Sequence, residues 1–201
     1  MPISQTVYDE LADFVPGVIF IILFGVLLNE ATNVEVPSLS SAWTVLVVVS
    51  GGYVAGRTVR AVSAGLEGFV ERIHKPDYGY AKIYEEARTR TMPHIEDSDG
   101  GRIEGYARRL AYEESALYVR YSTLYRYNRN IVTVVSFYGF VLFLSPFVVG
   151  IREIYGFSAI LVGVVLLLVA LVLLYRTWVL YYRKKRALED GFYMGLAKAD
   201  G

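Results

Sequence analysis

Four blocks of this 201-residue chain are longer and more apolar than the core segments of an ordinary water-soluble domain. The first is Phe14 to Leu28, fifteen residues without a charged side chain, entered through Asp13-Phe14-Val15-Pro16-Gly17. The second opens at Ala42-Trp43 and continues to Gly56, the third runs from Ile131 to Ile151 across Ser145-Pro146, and the fourth from Phe157 to Tyr182. Lipid offers the backbone no hydrogen-bond partners, so such blocks cross a bilayer as helices. A helix rises about 1.5 Å per residue against a hydrocarbon core about 30 Å thick, so blocks three and four span alone. The first block covers about 22 Å and needs Leu11 and Ala12 to approach spanning length. The expected fold class is therefore all-α: an integral membrane protein with four transmembrane helices, over about 11–28, 42–60, 131–151 and 157–180. Pro16 is expected in the first helical turn, where a missing N–H costs little. No Lys or Arg precedes block one and no small-residue cleavage site follows Leu28, so it reads as a span rather than a secretory signal.

Orientation follows from the basic residues. The formal net charge is zero, with 20 Lys+Arg against 20 Asp+Glu, but the charges are segregated. Residues 1–56 hold no Lys or Arg, 57–129 hold 13, Arg152 stands alone, and six lie between Arg176 and Lys198. The positive-inside rule puts 57–129 and the C-terminal tail in the cytoplasm, with both termini cytoplasmic in a cell membrane. The expected organisation is an N-terminal membrane hairpin (1–56), a cytoplasmic stalk (57–129), a C-terminal membrane hairpin (130–182) and a basic tail (183–201).

Within the stalk, Val59, Val62, Leu66, Phe69, Val70 and Ile73 recur at helical spacing, opposite Arg57, Arg60, Glu67, Glu71 and Lys75. Helix two is expected to run on from the membrane and stop at His74-Lys75-Pro76. A short helix is expected over Tyr80 to Arg90, and a turn at Glu96 to Gly101. From Arg102 to block three there is no proline, and Gly105 is the one glycine, so a single long helix is expected. Ile103, Leu110, Leu117, Leu124 and Ile131 recur every seven residues and define one slowly drifting row. This row is expected to pack on the extension of helix two as a helical hairpin, or to meet a partner.

Chemistry is thinly represented. The absence of cysteine removes disulfides, thiolate catalysis and cysteine-held metals. The two histidines, His74 and His94, are not at metal-ligand spacing. Asp97-Ser98-Asp99-Gly100-Gly101 lacks the later oxygen ligands of a calcium loop and reads as a turn in which Ser98 or Asp99 caps the next helix. Phosphate-cradling and serine-hydrolase motifs are missing, so no enzyme activity, cofactor or metal is expected. Nine tyrosines between Tyr78 and Tyr127 interleave with arginines, but 13 basic minus 11 acidic residues leaves the stalk only +2. Nucleic acid is disfavoured on that ground, and membrane lipids are the expected partners of these aromatics.

Polar residues inside spans are functional candidates. Ser50, Tyr53, Arg57 and Arg60 share one side of helix two, and Gly52 and Gly56 form a G-x-x-x-G on another. That spacing lets helices approach closely, within the chain or between copies of a homo-oligomer. Arg57, Arg60 and Arg129 are placed to meet lipid headgroups or the inner mouth of a pore. Two functions remain open here. One is an oligomeric membrane module whose stalk engages a cytosolic protein partner. The other is a small oligomeric channel or membrane-permeabilising effector gated by the stalk.

Overall fold

The computed structural model describes residues 3–32, 42–73, 83, 85, 86, 89, 100–147 and 152–199. Every regular element among them is helical: α1 Ile3–Thr32, α2 Ala42–Ile73, α3 Gly100–Glu114, α4 Ala116–Leu144 and α5 Arg152–Ala199, with a 3-10 turn at Ser145–Phe147. Three helices carry stretches long and apolar enough to cross a membrane: Glu10–Leu27, Thr44–Gly65, and part of Ser158–Lys198. Their outer faces bear large apolar side chains; Val54, Leu171 and Val172 are each more than 60% exposed. Such a surface is stable when lipid covers it. Of the block expected as span three, Ile131 to Leu144 forms the C-terminal part of α4, followed by the Ser145–Phe147 turn. Residues 148–151 lie outside the described residues.

α2 is described as far as Ile73, and the stop expected at His74-Lys75-Pro76 falls outside the described residues. Ile83, Glu85, Glu86 and Thr89 are helical, and the Thr89 hydroxyl contacts the carbonyls of Glu85 and Glu86 at 3.0 and 3.1 Å. α3 begins at Gly100, while the capping role given to Ser98 and Asp99 falls outside the described residues.

Two expectations change. α1 begins at Ile3, so Pro16 lies deep inside the helix and not in its first turn. Good helix formers such as Glu10, Leu11 and Ala12 precede the proline, and they propagate the helix into it. The long helix expected after Arg102 is interrupted at Ser115. The ladder stays connected there, with Ser115 N–H bonded to Ala111 O at 2.9 Å and Val119 N–H to Ser115 O at 3.3 Å. Ser115 Oγ accepts the Tyr118 N–H at 3.2 Å, which is N-cap geometry for α4.

The chain divides into two compact units. The first comprises Met1–Leu66 and Arg126–Thr177, with a core of Val59, Val134 and Tyr138 packed by Ile19, Phe20 and Leu166. Phe20 also meets the Phe137 and Tyr138 rings, each at 5.7 Å. Here α4 and α5 approach at glycines: a β-carbon on Gly163 would lie 2.6 Å from Phe143 N, and one on Gly139 would lie 3.2 Å from Leu167 N.

The second unit comprises Glu67–Tyr125 and Trp178–Gly201. Its core joins α3 and α4 to the C-terminal part of α5. Ile83, Ala107, Phe192 and Leu196 form one cluster; Ala111, Tyr118, Ala187 and Leu188 form another. The stretch read as a basic tail is thus a packed helix. A β-carbon on Gly191 would lie 2.7 Å from Ser115 Cβ and 3.0 Å from Ala111 Cα, so the small residue permits the approach. Lys198 pairs with Glu114, and the Tyr193 hydroxyl donates to Glu86 at 3.0 Å.

The packed row on α3 and α4 is displaced by one residue from the predicted one. Ala111, Tyr118, Tyr125 and Val132 are buried at an interval of seven, whereas Leu117 and Leu124 are exposed. Leu110 is half-buried beside the Phe192 cluster. The side chain of Ile103 and those of α2 beyond Gly65, which were to receive this row, lie outside the described residues. Tyrosines win the core face because α5 offers them small residues and partner rings, such as Tyr181 against Tyr125 at 5.7 Å.

Candidate functional site

Pro16 has no N–H, so the carbonyl four residues earlier, Ala12 O, loses its helical partner. The Pro16 and Ala12 side chains are both buried, which keeps water from replacing that bond. Asn130, completely buried on α4, supplies it: Nδ2 donates to Ala12 O at 3.1 Å and to Asp13 Oδ1 at 3.2 Å. Two acceptors on the nitrogen side fix the amide orientation. Its Oδ1 faces Ser63 Oγ at 2.6 Å. The Ser63 hydroxyl, also fully buried, lies 3.0 Å from Arg60 O and accepts from Arg129 Nε at 3.1 Å. Asp13, 4% exposed, receives Arg60 Nη1 on its other oxygen at 2.8 Å. The result is a chain of hydrogen bonds tying α1, α2 and α4 together around one proline.

Close helix approach makes this possible. Gly17 of α1 packs directly on Gly52 and Gly56 of α2: a β-carbon at Gly17 would lie 2.7 Å from Gly56 Cα and nearer still to Gly52 O. One at Gly56 would lie 2.9 Å from Asp13 C, and one at Gly52 would lie 2.5 Å from Val18 Cγ2. The G-x-x-x-G face is therefore filled by α1 of the same chain. Without this approach the buried Asp13 carboxylate and the half-exposed Arg60 guanidinium could not meet.

A second ion pair lies further out. Arg57 Nη2 donates to Glu10 at 3.1 Å and to the Tyr53 hydroxyl at 3.0 Å, with both charged side chains substantially exposed. Thus Arg57, Arg60 and Arg129, singled out from sequence, converge on this region of α1, α2 and α4. Asp13, Ser63 and Asn130, which complete it, were not singled out. The available signal was Pro16 itself, because a proline within a helix implies a freed carbonyl and a donor elsewhere. Three hydroxyls of the third block are used locally or by α1. Thr133 bonds Arg129 O, Ser145 bonds Leu142 O, and Tyr138 donates to Phe20 O at 2.8 Å.

Among the described residues no group of three or more His, Cys, Asp or Glu is arranged to hold a metal ion. The Asp13 carboxylate faces an arginine and an amide, an arrangement suited to locking helices together. No family model, curated protein or solved structure matches this chain.

Proposed function

We propose that this chain is a non-enzymatic multi-pass membrane module whose helical unit, Glu67–Tyr125 with Trp178–Gly201, lies in the cytoplasm and binds a cytosolic protein. In this reading four segments cross the cell membrane, both termini are cytoplasmic, and the module works as a homo-oligomer. The observation that carries the reading is the exposure of Leu117 and Leu124, one residue away from a row that is fully packed. The unit already has its own core in Phe192 and Ala111, so these leucines are not needed to fold it. Apolar side chains left outside a completed core, beyond the membrane blocks, suit an apolar helix of a partner. Arg57 and Arg60 with their carboxylates, and Arg129 through Ser63, then serve as the brace that holds the membrane helices in register.

The absence of cysteine makes the test direct. Single cysteines at Ser38 and Met194 should label from opposite sides of sealed membranes, Met194→Cys from the cytoplasmic side. A photocrosslinker placed at Leu117 should capture a cytosolic protein. Leu124→Ser, one step along the same row, should remove that capture without lowering thermal stability. Labelling of both cysteines from one side would overturn the topology. Capture unchanged by Leu124→Ser would overturn the docking role.

A further inference from the structure

At the start of the second unit, α5 presents aromatic rings and then cations on one face. Trp178 and Tyr182 are exposed, stand one turn apart and meet edge to face at 5.3 Å. Lys185 and Arg186 follow at i+7 and i+8 from Trp178, on the same side of the helix. Lys185 Nζ lies 4.6 Å from the centre of the Tyr181 ring, and Tyr181 meets Tyr182 edge to face at 6.1 Å. The inner side of the helix is occupied differently, with Leu180, Ala187 and Leu188 buried in the unit. From Arg176 to Arg186 the sequence has five basic residues, and the next acid is Glu189.

We propose that this face, Trp178, Tyr182, Lys185 and Arg186, binds the anionic phospholipid headgroups of the leaflet that α5 leaves. The proposal rests on the reading that the apolar part of α5 crosses the membrane. The chemistry of each level selects the partner. Indole and phenol rings settle at the interface, where one edge is apolar and the other wet. The cations stand about one turn, or about 5 Å, beyond the rings, at the level of lipid phosphate. A zwitterionic headgroup offers this pair of cations no net charge, whereas an anionic one does. Tyr181 holds the lysine head against its face and limits the freedom lost when phosphate is bound.

The full-length chain carrying Trp43→Phe retains Trp178 as its one tryptophan and is the reporter. It is reconstituted in phosphatidylcholine bilayers containing equal fractions of either dibrominated phosphatidylcholine or dibrominated phosphatidylglycerol. Bromine quenches tryptophan on contact, so the ratio of the two quenching constants reads lipid preference at this face. The glycerol lipid should be preferred by roughly fivefold, the scale set by one basic side chain at a charged lipid surface. Lys185→Gln with Arg186→Gln should bring the ratio near one while quenching by the choline lipid persists. Equal quenching by both lipids in the reporter chain, or a preference that survives the double substitution, would overturn the proposal. Absence of quenching by either lipid would overturn the membrane placement of α5 itself, and the inference with it.

Discussion

Asn130 supplies the hydrogen bond that Pro16 denies to its own helix. Pro16 frees Ala12 O, and Asn130 Nδ2 reaches it from α4 at 3.1 Å. The two residues are 114 positions apart, 130 − 16. They are linked because a buried carbonyl without a donor is costly and no water reaches it. The pair therefore couples a backbone property of one helix to a side chain on another.

That coupling is measurable as a double-mutant cycle. Asn130→Leu should lower stability in detergent by about 1–3 kcal/mol, since Ala12 O, Asp13 and Ser63 all lose a partner. Pro16→Ala restores an N–H for Ala12 O, so the same Asn130 substitution should cost less in that background. Strictly additive costs would refute the linkage.

The two ion pairs on α2 should differ in value. Arg57 and Glu10 are both exposed and screened by solvent, so Arg57→Ala should leave the thermal midpoint nearly unchanged. Arg60→Ala leaves the buried Asp13 carboxylate with Asn130 alone, and the loss should be about 1–3 kcal/mol. Asp13→Asn in the Arg60→Ala background should recover part of it, because an amide carries no buried charge. Thermal midpoints of the purified variants read all three.

Glycine positions should separate into two classes. Gly17→Ala and Gly56→Ala must push α1 and α2 apart, and their unfolding midpoints should fall together with loss of the Arg60–Asp13 pair. Gly65, whose β-carbon would meet nothing within 4 Å, should tolerate alanine. A gain of about 0.5–1 kcal/mol is expected there from helix propensity. Equal effects at Gly56 and Gly65 would contradict the close crossing.

The second unit depends on its C-terminal helix. Phe192 is completely buried, and Phe192→Ala should cost about 3–5 kcal/mol and expose 178–201 to limited proteolysis. Met194, exposed two residues on, is the control, and Met194→Ala should leave the digestion pattern unchanged. A protease-resistant Phe192→Ala chain would show that the tail does not complete this core.

Helix content and the end of α4 at Ser145-Pro146 were legible because they depend on local signals. The buried row on α4 was harder to read. Leu110, Leu117 and Leu124 are more apolar than Ala111, Tyr118 and Tyr125, so periodicity alone favours the leucines. The alanines and tyrosines are buried because the helix facing them is α5, whose Gly191 allows contact within backbone distance. The α5 stripe was itself present in the sequence as Ala187-Leu188, Gly191-Phe192 and Gly195-Leu196, four residues apart. The lysines and arginines just before it make the same stretch look like a solvated basic tail. In the candidate site the arginines were legible as charges near apolar blocks, while Asn130 and Ser63 were ordinary polar residues until Pro16 gave them an acceptor to satisfy.

By itself the sequence determined that this chain is helical and that several of its stretches are long and apolar enough to cross a membrane. It also marked where the charges lie. Tertiary structure decided which face of each helix is spent within the chain. Gly52 and Gly56 are used on Gly17, Asp13 on Arg60 and Asn130, and Phe192 on Ile83 and Ala107, leaving Leu117 and Leu124 outside. Those choices depend on distances between residues far apart in the chain, and such distances are set only when the helices pack.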